Sequence, residues 1–179
     1  TRNDGHLKLA AGTAVQISKQ AAHSVCIRHA LKRLDLKTSI VTTQDTWALS
    51  IGDYRGKKSK LQSKAEAYCI DSDKHGLHIQ AADCDGLFWA LTTLQQIMNG
   101  KRTAQAVRIS DYPAQNLRYH HDDISRKQVS KLSDFKRILR HLSQFKIKYY
   151  TPYMEDMLFL KSYPDIGAGR GRLEPQEIA

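Results

Sequence analysis

Cysteine is scarce in this sequence: three residues, Cys26, Cys69 and Cys84, odd in number and widely spaced. No pair has CxxC spacing, so neither a zinc knuckle nor a redox motif is legible. They read as small buried hydrophobes. Long apolar runs are missing as well. Nothing reaches the length that spans a bilayer, and no signal-peptide pattern opens the chain, which leaves the compartment open. The short motifs of nucleotide and acyl chemistry are also lacking: there is no P-loop, no GxSxG elbow and no Ser-His-Asp order. The glycine-rich run Gly167-Ala168-Gly169-Arg170-Gly171 lacks GxGxxG spacing and does not join a strand directly to a helix, so it reads as a strand-end loop rather than a phosphate cradle. No internal repeat or low-complexity tract is evident.

What is present is the composition of a globular protein. The chain has 179 residues, 41% hydrophobic and 26% charged, enough for one or two domains. Lys plus Arg is 28 against 18 Asp plus Glu, a formal charge of +10 that attracts acidic partners at long range. The charges are scattered rather than gathered into a run, so nucleic acid is not the expected partner. The rival function class is a non-enzymatic basic α/β module. It would bind anionic glycan or nucleic acid through Lys57, Lys58, Lys60, Lys64, Arg170 and Arg172.

The first 110 or so residues alternate between strand and helix patterns. Thr13, Val15 and Ile17 share one face of a short strand. Ile27, Ala30, Leu31 and Leu34 recur at i, i+3, i+4 and i+7, which predicts one helix over Lys19–Leu34, with Lys32 and Arg33 at its negative end. Ser39–Thr43 and Thr46–Ile51 are rich in β-branched and aromatic residues and read as strands. Gly52–Ser63 is a polar, Lys-rich loop. Glu66–Asp71 and Leu77–Ala82 form a predicted hairpin across Ser72–Gly76. Asp83 or Asp85 is placed to cap the next helix, whose stripe is Leu87, Ala90, Leu91, Leu94, Ile97 and Met98, ended by Asn99-Gly100. Ala106–Ser110 is a last strand, and Asp111-Tyr112-Pro113 reads as a boundary.

Beyond the boundary the pattern becomes strand, helix, strand. The segment Asn116–Arg126 packs two Arg, two His and two Asp into one strand's length, more ionisable groups than burial for stability alone tolerates. Leu117–Ile124 is the predicted strand. Leu132, Phe135, Ile138, Leu139, Leu142 and Phe145 then line a helix with Ser130 or Ser133 as cap, and Ile147–Met154 is the second strand. Such a unit implies parallel strands joined by a right-handed crossover. It puts Glu155 and Asp156 at the carboxyl end of a strand, where parallel α/β folds build sites. His120-His121-Asp122-Asp123 does not predict a metal centre, because alternate strand residues face opposite ways and the four cannot converge. Arg118 forks either to sugar hydroxyls or a carboxylate, or pairs structurally with Asp122 or Asp123. Glu174-Pro175-Gln176-Glu177 opens another helix. One and a half strand–helix units cannot close a sheet or barrel, so an N-terminal piece of a longer protein is expected.

These residues resemble a known family. Asn-Leu-Arg118-Tyr-His-His-Asp-Asp123-Ile-Ser-Arg126 is similar to the first barrel strand of family 20 glycoside hydrolases, the β-N-acetylhexosaminidases: an Arg, then a stretch ending in Asp, a β-branched residue, Ser or Ala, and Arg. The following helix, the strand ending at Asp156, and Ser162-Tyr163-Pro164-Asp165-Ile166-Gly167 match in order. Upstream, Glu66-Ala67-Tyr68, Gly76–Ala82 and Gly86–Gln96 resemble that family's non-catalytic domain. Two stretches depart: His120-His121-Asp122 replaces residues that are usually hydrophobic, and Tyr149–Glu155 replaces a His-rich strand.

The resemblance implies an α/β chain. Residues 1–112 would form an N-terminal α+β accessory domain with a mainly antiparallel sheet, and residues 113–179 the first strands and helix of a truncated (β/α)8 TIM barrel. It implies removal of terminal β-N-acetylhexosamine from glycans by substrate-assisted retention, without cofactor or metal. It makes Arg118 the sugar-binding residue and matches Asp123 and Arg126 to positions that support the strand; Glu155 and Asp156 join them as supporting residues by their place at the carboxyl end of the second strand. The family's catalytic Asp-Glu pair follows the fourth barrel strand and is not among these residues. This chain is therefore expected to be inactive alone and to have the remainder of its own barrel as partner.

Overall fold

The structure, a computed structural model, describes residues 2–42, 47–126 and 129–178. The chain divides into two compact units, Thr1–Ala114 and Gln115–Ala179. Among the described residues, no helix is long and apolar enough to cross a membrane.

Among the described residues, the first unit is one seven-stranded sheet with three helices. In chain order its elements are β1 (Arg2–Lys8), β2 (Thr13–Ser18), α1 (Lys19–His23), α2 (Val25–Arg33), β3 (Leu36–Thr42), β4 (Trp47–Gly52), β5 (Tyr68–Ser72), β6 (Gly76–Ala81), α3 (Cys84–Met98) and β7 (Thr103–Asp111). The strand order is β1-β7-β5-β6-β4-β2-β3. Only the β2–β3 pair is parallel, joined through α1 and α2; the other neighbours are antiparallel. The expected mainly antiparallel sheet is therefore present.

Several expectations shift. The helix predicted over Lys19–Leu34 is two helices, because Ser24 is extended (φ −70°, ψ 125°). Ser18 Oγ accepts from Ala21 N and caps the first of them. The apolar stripe of α2 (Ile27, Ala30, Leu31) is buried as read. β5 starts at Tyr68 rather than Glu66, since Glu66 sits in a turn at φ +61°. β7 is longer than Ala106–Ser110, and β1 has no counterpart in the sequence reading. Thr43 and Thr46, the adjoining ends of two predicted strands, lie outside the described residues.

Asp83, not Asp85, caps α3: its Oδ1 accepts from Gly86 N at 2.7 Å and its Oδ2 from Glu66 N at 2.8 Å. Gly86 brings the helix against the preceding turn, where an added Cβ would meet Ala67 O at 2.6 Å. Leu87, Ala90, Leu91 and Leu94 are then buried against the sheet with Ile70, Leu77 and Ile79. The opposite face of β5 is also covered, by the Lys-rich loop. Ser59 donates to Asp71 through both N (2.7 Å) and Oγ (2.6 Å), and Arg108 donates to Lys57 O at 2.8 Å. That is why β5 is buried at every residue.

The cysteines depart from expectation. Cys69 is buried, but Cys26 is exposed and Cys84 half-buried.

The second unit holds β8 (Tyr119–Asp123), α4 (Leu132–Gln144), β9 (Tyr149–Tyr153) and the short α5 (Pro175–Ile178). β8 and β9 pair in parallel, Tyr119 opposite Tyr149 through Asp123 opposite Tyr153. Both strands are shorter than predicted. The cap of α4 is Lys131, with no side-chain bond, rather than Ser130 or Ser133. A small core of Ile124, Phe135, Met157 and Leu173 holds the unit together.

Candidate functional site

Alternation along β8 sorts its polar residues. Tyr150 of β9 meets Phe135 of α4 edge-on (6.1 Å), stacks beside His120 (6.2 Å) and donates its hydroxyl to Asp122 Oδ2 at 2.7 Å. His120, Asp122 and Tyr150 therefore occupy the helix-side face. Burial, then the bond to Asp122, pushes the Tyr150 hydroxyl well above the ordinary tyrosine range. Asp122 is thus tied to Tyr150. The opposite face carries Tyr119, His121, Asp123, Tyr149 and Tyr153, with His121 and Tyr153 rings 6.3 Å apart. Tyr119, Tyr149 and Tyr153 are all exposed there.

The carboxyl ends of β8 and β9 gather ionisable groups. Asp123, the last residue of β8, accepts from Ser125 Oγ (2.6 Å) and Ser125 N (2.9 Å), and Arg126 Nε stands 3.4 Å from its other oxygen. The Ser125 hydroxyl, then its amide, hold the Asp123 carboxyl below its usual range. Across the ladder, Tyr153 donates to Glu155 Oε1 at 3.1 Å. That bond raises the Tyr153 hydroxyl, with Arg126 and Asp123 acting on it through space in opposite senses. Asp123, Arg126, Tyr153 and Glu155 therefore form one electrostatic neighbourhood. Glu155 is a non-glycine residue at φ +43°, a conformation that stores strain and concentrates at functional sites.

Asp156 completes this end. Its Oδ2 pairs with Arg170, while Oδ1 is buried with no hydrogen-bond partner among the described residues. A buried unsatisfied acceptor is costly, and such atoms call for an explanation. The loop is closed by Gly167 at φ +67°, where any side chain would run into the Asp156 carbonyl oxygen.

Arg118 lies elsewhere. It stands just ahead of β8, and five strand residues at about 3.3 Å each separate its backbone from Asp123 by roughly 16 Å. Its Nε donates to Lys146 O at 2.9 Å and Nη1 to Gln115 O at 2.8 Å. Lys146 is held at φ +58°. The guanidinium thus spans main-chain carbonyls at the amino ends of the two strands. Of the five predicted site residues, the fold places Asp123, Arg126, Glu155 and Asp156 at one end and the Arg118 backbone at the other. Tyr153 was missed; its signal was strand register, opposite Asp123.

Several basic residues of the rival reading are engaged within their own units. Lys64 Nζ stands 3.8 Å over the Tyr112 ring. Arg170 pairs with Asp156, and Arg172 donates to the Pro164 and Ile166 carbonyls and pairs with Glu174.

The family described as "Glycosyl hydrolase family 20, domain 2" matches residues 1–112. A beta-hexosaminidase of Porphyromonas gingivalis is 28% identical over 134 residues, covering 65% of this chain and 17% of that protein. Among solved structures, a beta-N-acetylhexosaminidase from Bacteroides fragilis superposes over 99% of this chain and 39% of its own, with a TM-score of 0.74 at 20% identity. A chitobiase from Flavobacterium johnsoniae superposes over 99% of this chain and 30% of its own, with a TM-score of 0.68 at 20% identity. The chain spans between 17% and 39% of the length of these relatives.

Proposed function

This chain belongs to glycosyl hydrolase family 20, and we propose on that premise that it is part of an enzyme removing terminal β-N-acetylhexosamine from glycans. Residues 1–112 are then the accessory domain, and residues 113–179 begin the catalytic (β/α)8 barrel. The observation that carries this reading is the order of the chain: a family 20 domain followed directly by a parallel strand–helix–strand whose acids collect at the carboxyl strand ends. Barrel enzymes place their chemistry at that end. The names of the relatives, hexosaminidases and a chitobiase, support the sugar.

The mechanism is substrate-assisted, an exception to the two-carboxylate scheme. The acetamido oxygen of the sugar attacks the anomeric carbon with retention, a Glu protonates the leaving oxygen, and the preceding Asp orients the acetamido group. Those two acids follow the fourth barrel strand, so the 179 residues alone turn nothing over. The partner that completes the site is the remainder of the same barrel. Asp123, Arg126, Glu155 and Asp156 shape the strand ends, and Arg118, which donates here to the Lys146 and Gln115 carbonyls at the amino ends of the strands, binds hydroxyls of the terminal sugar only after leaving those carbonyls. The Arg118 role is carried by its place in the motif, five residues ahead of Asp123.

The test is hydrolysis of a chromogenic β-N-acetylglucosaminide by the full-length enzyme and by this chain, each with an Arg118→Ala version. Full-length protein turns over. Arg118→Ala lowers kcat/KM on the order of 100-fold, the worth of two charge-assisted hydrogen bonds. This chain shows no turnover. Full-length protein inert toward every N-acetylhexosaminide would overturn the reading.

A further inference from the structure

We propose that Cys26 and Cys84 are a reversible dithiol–disulfide couple that staples the first turn of α2 to the first turn of α3. The two residues are 58 positions apart in sequence, yet their sulfurs stand 3.4 Å from each other. Ser24 Oγ lies beside the pair, 3.0 Å from Cys26 Sγ and 3.2 Å from Cys84 Sγ. A disulfide bond is about 2.05 Å long, so closure moves the sulfurs together by only ~1.4 Å, within reach of small side-chain rotations. Neither thiol is engaged in the candidate sugar site.

The two cysteines differ in the way such a couple requires. Cys26 is exposed and is the point of entry. Cys84 is half-buried, and its thiol is pushed up to about 11, first by burial and further by Cys26 and Asp85, against a lowering bond from Ser24. It therefore stays protonated at neutral pH and serves as the resolving partner. Cys69, buried on β5, takes no part.

The oxidant is a small-molecule disulfide, oxidised glutathione. The Cys26 thiolate attacks one glutathione sulfur, forming a mixed disulfide and expelling one glutathione thiolate. Cys84 then loses its proton to solvent and attacks the Cys26 sulfur, forming the Cys26–Cys84 bond and expelling the second glutathione thiolate. Two protein thiols are oxidised and one glutathione disulfide is reduced to two thiols. Excess reduced glutathione runs the same steps backwards. The bond closes a loop that contains β3, β4, β5 and β6, so it constrains most of the sheet.

The experiment uses the full 179-residue chain, first reduced, then equilibrated in glutathione buffers of stepped ratio and quenched by alkylation under denaturant. In the oxidised buffers we expect the mass to fall by two hydrogens, one alkylated thiol to remain instead of three, and a proteolytic map to show Cys26 joined to Cys84. The thermal midpoint rises by roughly 10 °C for a loop of this length. Cys26→Ser and Cys84→Ser each abolish the intramolecular bond and the shift, whereas Cys69→Ser leaves both intact. The wild-type mass and peptide map decide the matter even if a serine variant folds poorly. Three alkylatable thiols in every buffer, a lasting glutathione adduct on Cys26, or a cross-link through Cys69 or between chains would each overturn the proposal.

Discussion

Helix α3 of the first unit puts Leu87, Ala90, Leu91 and Leu94 completely under the sheet. Helix α4 of the second unit has an equally clean apolar stripe, yet among the described residues it buries only Phe135, and Phe145, which follows its last turn, is 75% exposed. The sheets differ in the same way. β5 is covered on both faces, whereas the two-stranded β8–β9 sheet exposes Tyr119, Tyr149 and Tyr153 on one. An amphipathic stripe states a demand for a partner and does not guarantee that the partner is within the same unit. Two strands and a helix are near the lower limit for independent stability, while seven strands and three helices are well above it.

Separating the units is the strongest way to break this contrast. Residues 1–114, expressed alone, should unfold in one cooperative transition with dispersed amide resonances. Residues 115–179 alone should show weak tertiary signals, no sharp transition and little amide protection. A sharp transition for the second piece would mean that its small core suffices and that its exposed aromatics are ordinary surface.

A smaller effect comes from matched hydrogen bonds to carboxylates. Trp89 Nε1 donates to the buried Glu66 at 2.6 Å in the first unit, and Tyr150 donates to Asp122 at 2.7 Å in the second. Removing the donor from a buried carboxylate costs about 2 kcal/mol, so Trp89→Phe should lower stability by that order in urea unfolding. Tyr150→Phe, beside a carboxylate nearer water, should cost about 0.5–1 kcal/mol. Equal losses would show that the second unit has as dry an interior as the first.

The same contrast explains what could be foreseen from residues alone. α3 was legible because its cap, its stripe and its Asn99-Gly100 stop agree. The break at Ser24 was passed over although it leaves a trace: the in-phase positions ahead of Ile27 (Gln20, His23, Ser24) are polar, and the buried Ala21 and Ala22 of α1 lie off the α2 stripe. β1 was hidden by Gly5, which sits at φ +99° where the register with β7 shifts. Asp123, Arg126, Glu155 and Asp156 could be read as candidates because parallel strands present their carboxyl ends together. The place of Arg118 could not, since a long side chain reaches several residues along its strand and its carbonyl partners come from turns. The Cys26–Cys84 contact bridges elements without any local pattern, so no spacing rule finds it.

The smallest predicted effect concerns pH, and it belongs to the unit with an interior. His78 on β6 faces Ser50 on β4, with Nδ1 2.9 Å from Oγ. Burial, reinforced by Lys58 and opposed by Asp71, holds the imidazole below the usual histidine range. An unfolded chain protonates this histidine near pH 6.5, while the folded one resists until lower pH. In that window the unfolded state binds more protons, so stability contributed by neutral His78 is full above about pH 6.5 and is lost as pH falls toward the folded value. Urea unfolding of residues 1–114 at pH 7, 6 and 5 should therefore show a decline that is shallower in His78→Gln. Identical slopes in the two proteins would mean that solvent reaches the imidazole freely, and that the polar side of the first sheet is as open as the exposed face of β8 and β9.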